Sequence, residues 1–292
     1  MSTSPYAPAP EDRATTGLGD IVVIKLGGST TIDEDLKRAF AHDVVRLHEA
    51  GLLPVVVHGG GPQISSELAR QGIASEFKSG LRVTSPAAMH VVRMVLAGQV
   101  QRELVGLINQ HRPLAVGMTG EDANTFTAAR HLPEIKGELV DIGRVGEITR
   151  VDPRLLESLL ADGLIPVVSS IARSVEDEDV YNVNADTVAA ALATALGAGQ
   201  LLLVTDVAGL YADWPHTDDV YERLTAKELE DLLPELSAGM LPKMRGCLNA
   251  VRNGVRSARV IDGRVRNAIR TTVLTDQPMG TTVVPDVPGG MT

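Results

Sequence analysis

Two glycine-rich segments each follow a short apolar run directly. The first is Lys25-Leu26-Gly27-Gly28-Ser29 and the second is His58-Gly59-Gly60-Gly61. A glycine turn between a buried strand and a helix directs several backbone N–H groups to one point beside the positive end of the helix dipole, where an anion can bind. Neither segment matches a Walker A loop or a Rossmann fingerprint. Each alone fits a tight turn of any α/β protein, but two at successive strand ends favour an anion site.

Two lysines occupy positions that their local structure disfavours. Lys25 lies inside an apolar strand, where burial of an ammonium costs free energy unless an anion is near. Lys243 follows Gly239-Met240-Leu241-Pro242 and lies in the first turn of the helix that these residues open, where a cation opposes the helix dipole. Residues that contradict local preference indicate function.

An acidic residue and an arginine complete the candidate site. Asp186 opens an alanine-rich helix behind Asn184, and helix capping with a favourable dipole interaction explains both residues adequately. The functional interpretation of Asp186 is a carboxylate that holds the two lysines in place. Arg82, in the segment Gly-Leu-Arg-Val-Thr, is of the residue type that clamps a carboxylate with two hydrogen bonds, although most surface arginines are merely solvated.

These residues stand where predicted strands and helices meet. The apolar pattern predicts strands at 21–26, 53–57, 114–118, 165–168 and 200–205, and helices at about 33–50, 63–71, 89–110, 155–162 and 185–196. Their alternation, with glycine at the joints, predicts a mainly parallel, doubly wound sheet. Residues 126–151 differ, because short strands and turns there predict a β-hairpin excursion. Thr225 is predicted to cap a helix that ends near Leu233.

Composition excludes several classes of protein. The chain has 292 residues, a formal net charge of −10 and 3% aromatic residues, which suits one large α/β domain or two lobes with an aliphatic core. The acidic total argues against nucleic-acid binding, and no apolar run reaches the ~18 residues that cross a bilayer. A single cysteine, Cys247, excludes an internal disulfide, and the seven histidines form no metal-ligating pair. We expect a cytoplasmic protein with no metal site and no membrane partner.

Seven motifs occur in the order in which one known family carries them. They are KLGG, HGGGPQI, GLRVT, MVLAGQVQRELVGLINQH, YNVNAD, TDVAGLY and GMLPKM. The set resembles the N-acetylglutamate kinases of the amino acid kinase family, most of all their actinobacterial form, over residues 21–286. The resemblance implies an open αβα sandwich with a mainly parallel central sheet. It also implies ATP-dependent phosphorylation of the γ-carboxylate of N-acetyl-L-glutamate in arginine biosynthesis.

The resemblance assigns a role to each candidate residue. Lys25 and Lys243 flank the transferring phosphoryl group, Asp186 orients them, and Gly28 and Gly60 donate backbone N–H groups to it. The implied substrate-binding residues are Gly59, Gly60, Gly61, Arg82, Asn182 and Asn184. The implied ATP-binding residues are Lys25, Gly27, Gly28, Thr205, Asp206, Gly209, Leu210, Met240 and Lys243. The nucleophile is a carboxylate with an ordinary pKa of about 4.3, so no general base is needed. Mg²⁺ is expected to bind chiefly through the ATP oxygens.

Composition predicts the N-terminal tail, and the resemblance implies the two lobes and the assembly. We expect a disordered tail over residues 1–20, a dimer-forming lobe over residues 21–197 that binds the acyl amino acid, and an ATP-binding lobe over residues 198–292. Arginine-inhibited members carry an N-terminal amphipathic helix that assembles hexamers, whereas this chain begins with a Pro-rich segment. Residues 267–272 also lack the His and Glu of the family's arginine site and gain Arg270. We therefore predict a homodimer that arginine does not inhibit.

Two alternative functions are compatible with the same motifs. A kinase for a related N-acylated or carrier-linked acidic amino acid, such as aminoadipate, would share much of the motif set. A catalytically retired paralogue that acts as a binding or regulatory subunit would keep the same fold. The presence of both lysines, Asp186, both glycine turns and Arg82 favours an enzyme.

Overall fold

The computed structural model describes residues 20–213, 215–237, 239–275, 277 and 279–286. The tail expected over residues 1–20 therefore lies, except for Asp20, outside the described residues. The strands are β1 Ile21–Leu26, β2 Leu53–His58, β3 Phe77–Lys78, β4 Leu81–Arg82, β5 Ala115–Thr119, β6 Phe126–Arg130, β7 Glu134–Ile135, β8 Glu138–Leu139, β9 Val145–Val151, β10 Ile165–Ser169, β11 Ile171–Arg173, β12 Val180–Val183, β13 Gln200–Thr205, β14 Arg223–Thr225, β15 Ser257–Asp262 and β16 Thr281–Val284. The α-helices are α1 Glu34–Glu49, α2 Gly61–Arg70, α3 Pro86–Arg93, α4 Gln101–Asn109, α5 Arg154–Ala161, α6 Ala185–Ala195, α7 Ala226–Leu232, α8 Leu241–Arg252 and α9 Ala268–Leu274.

Eight strands form the central sheet, in the order β14-β16-β15-β13-β1-β2-β10-β5. Neighbouring strands are parallel except for β15 and β16, which pair antiparallel. Residues of β1 alternate between the two faces: Val23 packs in one hydrophobic cluster, and Val22 and Ile24 pack in the other. Each face of the sheet is thus covered by helices, and the predicted αβα sandwich with a mainly parallel sheet is confirmed.

Strands β6, β9, β12 and β11 form a small closed barrel beside the central sheet. Strands β6 and β9 pair antiparallel, and the short β7–β8 hairpin lies between them in the chain. The excursion predicted for residues 126–151 is confirmed. Strand β12 of this barrel leads directly into α6, so the barrel sets the position at which that helix begins.

The helix predicted over 89–110 is not a single α-helix. A π-helical segment, Met94–Val100, separates α3 from α4. The helical spacing of apolar residues predicts the element correctly but does not reveal a widened turn, because a π segment shifts the pattern by one residue only. Leu96 and Val100 of this segment lie against Gly60, so the widened turn packs on the second glycine turn.

Other predicted helix ends agree closely with the structure. The Asp33 side chain accepts the backbone N–H of Leu36 at the start of α1. Thr225 and Glu228 form a capping box at the start of α7, which ends at Leu232. In the part of the chain that the structure describes, no helix has both the length and the apolar character that a membrane span needs.

Candidate active site

The two glycine segments lie side by side at the carboxyl ends of two central strands of the sheet. Strands β1 and β2 are parallel neighbours, with Leu26 opposite His58, so the residues that follow them leave the sheet together. Gly28 has φ +66°, a left-handed conformation that favours glycine, and a Cβ atom there would lie 3.0 Å from Cγ of Asp206. The first turn therefore also lies against the end of β13.

Asp186 bridges the two lysines. Its Oδ1 lies 2.9 Å from Nζ of Lys25, and its Oδ2 lies 3.4 Å from Nζ of Lys243. The side chains of Lys25 and Asp186 are 9% and 5% exposed, whereas that of Lys243 is 21% exposed. Burial alone would raise the pKa of Asp186, but the charges of the two lysines outweigh burial and lower it, so the carboxylate stays ionised at neutral pH.

Three local features bring these charges together. The Asn184 side chain accepts the backbone N–H groups of Asp186 and Thr187, so the capping interpretation of Asn184 is correct. Asp186 consequently lies in the first turn of α6, beside the positive end of its dipole. Lys243 lies in the first turn of α8, and its Nζ also lies 3.4 Å from the carbonyl oxygen of Gly239. Helix α8 packs on α6 at Gly246, where a Cβ atom would lie 3.5 Å from the carbonyl oxygen of Asp186, an ordinary van der Waals distance.

Arg82 lies at the second glycine turn rather than on the surface. It is 6% exposed, and its Nη2 donates to the carbonyl oxygen of Gly61 at 3.0 Å and to Oγ of Ser65 at 2.7 Å. Its Nη1 donates to Oγ of Ser75, and the guanidinium lies 4.6 Å from the ring centre of Phe77. Burial lowers the pKa of Arg82. The guanidinium is thus held in one orientation beside the glycine turn.

The residues expected at the nucleotide divide into two groups. Thr205 is the last residue of β13, and Asp206, which follows it, lies beside Gly28. Thr205 Oγ1 lies 3.3 Å from Asp206 Oδ1. Gly209 and Leu210 instead lie against Thr281, whose Oγ1 accepts the backbone N–H of Leu210 at 2.8 Å. Met240 is the residue before α8.

The other residues expected to bind the substrate lie near the start of α6. Asn182 is half-buried in β12, and its backbone N–H donates to the carbonyl oxygen of Arg144. A Cβ atom on Gly59 would lie 3.6 Å from Cβ of Ala185, so the second glycine turn lies directly against the first residue of α6. No group of three His, Cys, Asp or Glu side chains within the described ranges is placed to hold a metal ion.

Sequence reasoning missed the residues that support the site from below. Ser65 and Ser75 hold Arg82, and a buried set of His58, Gln101 and Ser169 lies beneath the second glycine turn. The only sequence signal for Gln101 and Ser169 was that each is a polar residue within an otherwise apolar stretch of helix or strand. That signal is weak, because polar residues in such places are common.

The model of the amino acid kinase family matches residues 20–262, which include Lys25, Asp186 and Lys243. The chain belongs to the amino acid kinase family. It is 70% identical to the acetylglutamate kinase of Streptomyces avermitilis over 268 residues, which cover 92% of this chain and 88% of that protein. It is 64% identical to the acetylglutamate kinase of Streptomyces clavuligerus over 270 residues, covering 92% and 89% respectively. With relatives at this identity, the chain is an enzyme of the kinase class.

Solved structures share the fold of this kinase. N-acetylglutamate synthase from Neisseria gonorrhoeae, complexed with coenzyme A and N-acetyl-glutamate, matches with a TM-score of 0.79 at 22% identity, over 92% of this chain and 60% of that one. Carbamate kinase from Giardia lamblia, bound to AMP-PNP, matches with a TM-score of 0.66 at 17% identity, over 92% and 99% respectively. At these identities the likeness concerns the fold alone.

Proposed function

We propose that this kinase transfers the γ-phosphoryl group of ATP to the γ-carboxylate of N-acetyl-L-glutamate, as a step of arginine biosynthesis. The observation that carries the proposal is the carboxylate of Asp186, which bridges Lys25 and Lys243 at the edge of the sheet where both glycine turns lie. The high identity to acetylglutamate kinases supports the choice of substrate.

The chemistry demands positive charge more than it demands a base. A carboxylate must approach a triphosphate, and both are anions that repel each other. Two ammonium groups and one carboxylate give the cluster a net charge of +1, at fixed positions in a largely buried site. Lys25 neutralises charge on the attacking side and Lys243 on the leaving side, while Asp186 keeps the two ammonium groups apart and oriented.

The transfer step needs no proton movement. A γ-carboxylate oxygen attacks the γ-phosphorus, and the bond from that phosphorus to the β–γ bridging oxygen breaks. The bonding electrons remain on the bridging oxygen of ADP, and the other product is N-acetylglutamyl phosphate. The backbone N–H groups of Gly28 and Gly60 donate to phosphoryl oxygens as charge shifts between them. Mg²⁺ enters with ATP as part of the substrate and neutralises its phosphate oxygens.

The remaining residues divide between the two substrates. Arg82 binds the α-carboxylate of the acyl amino acid, and Asn182, Asn184 and the segment Gly59-Gly60-Gly61 complete that subsite within residues 21–197. The nucleotide subsite, in residues 198–292 and the first glycine turn, comprises Gly27, Gly28, Thr205, Asp206, Gly209, Leu210, Met240 and Lys243. The contact between Arg82 and the carbonyl oxygen of Gly61 supports the first assignment.

The direct test is a hydroxamate assay of the acyl phosphate product. We expect turnover with ATP, Mg²⁺ and N-acetyl-L-glutamate, and loss of turnover in Lys25→Ala and Asp186→Ala. Lys227→Ala, at a lysine that is 73% exposed in α7, is the matched control and keeps full activity. Preference for N-acetylaspartate or an N-acyl or carrier-linked aminoadipate would overturn the proposed substrate. Absence of turnover with every N-acylated acidic amino acid would overturn the proposed reaction.

We also propose that the kinase is a homodimer without arginine feedback. In residues 267–272 the His and Glu of the family's arginine site are missing, and Arg270 Nε lies 3.9 Å from Oδ1 of the buried Asp43. The chain's own cation at this segment disfavours a cationic ligand there. Light scattering is expected to give a dimer. A hexamer, or arginine inhibition with a sub-millimolar midpoint, would overturn this proposal.

A further inference from the structure

A chain of hydrogen bonds lies buried beneath the second glycine turn. Nε2 of Gln101 donates to Oγ of Ser169 at 2.8 Å, Oγ of Ser169 lies 3.0 Å from Nε2 of His58, and Nδ1 of His58 lies 2.9 Å from the carbonyl oxygen of Gly59. His58 and Ser169 are both 0% exposed. Neither side chain can therefore reach a substrate as a nucleophile, acid or base.

The partners of Ser169 determine which nitrogen of His58 carries the proton. Nε2 of Gln101 is an amide donor, held in place by the carbonyl oxygen of Met118 at 2.7 Å, so Ser169 Oγ accepts from it. The single hydroxyl proton of Ser169 then goes to Nε2 of His58 at 3.0 Å rather than to the carbonyl oxygen of Leu96 at 3.4 Å. His58 Nε2 is consequently the acceptor, and His58 Nδ1–H donates to Gly59.

Burial keeps the His58 ring in the neutral form that this arrangement requires. The ring is wholly enclosed, and burial lowers its pKa to about 4. At neutral pH the imidazole therefore has one N–H group, which donates, and one lone pair, which accepts.

The carbonyl group of Gly59 and the N–H group of Gly60 belong to one peptide unit. Because a trans peptide is planar, its carbonyl and N–H groups point in opposite directions, and fixing one fixes the other. Two consecutive glycines give this peptide little steric hindrance to rotation. On the other side, Leu96 Cδ2 and Val100 Cγ2 would lie 2.8 Å and 3.1 Å from a Cβ atom on Gly60, so the π-helical segment packs directly against that residue.

We propose that His58 is a positioning residue for phosphoryl transfer: its Nδ1–H group, oriented by Ser169 and Gln101, holds the Gly59–Gly60 peptide so that the Gly60 N–H points at the transferring phosphoryl group. The role of Gly60 in this statement rests on the proposed function. The role of His58 in setting the peptide does not, because it follows from the contacts alone.

The first test replaces the two nitrogen atoms of the ring separately. In His58→Asn the side-chain amide lies near the position of Nδ1 and can still donate to Gly59. In His58→Gln the amide reaches the position of Nε2 and contacts Ser169 but not Gly59. We expect kcat to fall roughly 10- to 100-fold in His58→Gln and to stay within about fivefold of wild type in His58→Asn, with KM for both substrates changed less than about threefold.

The control is a histidine that holds a turn elsewhere. His48 Nε2 lies 2.9 Å from the carbonyl oxygen of Gly163, in the turn that follows α5. His48→Asn, whose shorter side chain cannot reach the position of Nε2, is expected to lower the melting temperature without lowering kcat. If His58→Asn and His58→Gln lose activity equally, in proportion to their loss of stability, His58 is structural only and the proposal is wrong.

The second test does not depend on any substrate. In ¹⁵N-labelled wild-type protein at pH 7, the NMR resonances of the ring are expected to show a protonated Nδ1 and an unprotonated Nε2 for His58, with His58→Asn giving the assignment. A protonated Nε2 or an imidazolium at pH 7 would overturn the proposal. A kinase that fails to phosphorylate N-acetylglutamate but shows the Nδ1–H tautomer would overturn the proposed function and leave the positioning of the peptide intact.

Discussion

The ammonium of Lys25 occupies the space that a side chain at Gly27 would fill. An ideal Cβ atom on Gly27 would lie 2.1 Å from Lys25 Nζ and 3.0 Å from Lys25 Cε. The glycine therefore has a specific task, since it allows Lys25 to fold back and meet Asp186 at 2.9 Å.

Gly27→Ala is accordingly expected to remove activity while sparing the fold. The methyl group displaces the flexible end of Lys25 rather than the backbone, so we expect kcat to fall by about 100-fold or more and the melting temperature to change little. Steady-state kinetics and thermal unfolding measure the two effects. Gly106→Ala is the matched control, because nothing lies within 4 Å of a Cβ there and alanine suits the helix. Retention of activity in Gly27→Ala would contradict the placement of Lys25.

Asp186→Asn separates the charge of the bridge from its shape. The variant leaves two largely buried ammonium groups without their counter-ion. We therefore expect kcat to fall at least about 100-fold. The free energy of unfolding is expected to drop by roughly 3 kcal/mol. Urea unfolding and the hydroxamate assay provide the measurements. Lys227→Ala shows the effect of losing an exposed charge, and unchanged stability in Asp186→Asn would mean that the bridge is not formed.

The pH dependence of stability should differ between wild type and Asp186→Asn. Because the pKa of Asp186 is lower in the folded protein than in the unfolded chain, its stabilising contribution is complete above the unfolded value and is lost as the pH falls through the folded value. The stability difference between the two proteins is therefore expected to be constant near pH 7 and to shrink below about pH 4. Urea titrations at several pH values test this. A difference that grows on acidification would show that burial, not the lysines, controls this carboxyl group.

Arg82→Lys is expected to impair binding of the acyl amino acid and to leave ATP binding unchanged. Lysine keeps the charge but lacks the planar group that contacts Gly61 and Ser65 simultaneously. We expect KM for N-acetylglutamate to rise about tenfold or more, and a smaller rise in Ser65→Ala, which loosens the guanidinium. Arg46→Lys, in an exposed ion pair with Glu49, is the control. An equal rise in KM for ATP would show that Arg82 does not act specifically in binding the acyl amino acid.

Leu96→Ala tests whether the π-helical segment supports the glycine turn. Loss of this buried side chain leaves a cavity beside Gly60 and is expected to cost about 2–5 kcal/mol of stability. Leu47→Ala in α1 creates a comparable cavity away from the turn. Both variants lose stability, and only Leu96→Ala is expected to lose kcat beyond the unfolded fraction. Equal kcat values would show that the segment is only a packing element.

The sequence predicted the layers and most helix ends because these depend on local patterns. Apolar runs such as 21–26 are long enough to identify buried strands, and Asp33 and Thr225 are residue types that cap helices. The convergence of Lys25, Asp186 and Lys243 has no local pattern, since the three belong to distant parts of the chain. The functional interpretation of Asp186 and the resemblance of the motifs to one family placed them together, and spacing along the chain did not.

The buried hydrogen bonds of His58 could not be predicted from the sequence for a different reason. His58 stands beside the glycines, but nothing in its neighbours indicates that Ser169 will lie opposite it in the next strand. Strand order and register decide that contact, and spacing along the chain does not reveal either. The widened turn at 94–100, which packs against Gly60, likewise has no signal in its residue types.

The register of β1 with β13 has a consequence for how the kinase can be divided. The two strands pair through five successive residues, although β1 begins the part of the chain proposed to bind the acyl amino acid and β13 begins the part proposed to bind ATP. Cutting the polypeptide after Gly197 would leave two fragments. In each of them a hydrophobic strand, β1 or β13, would become an unpaired edge strand of the sheet. Such fragments are expected to aggregate when expressed singly and to regain solubility when produced together, because each provides the missing edge of the other.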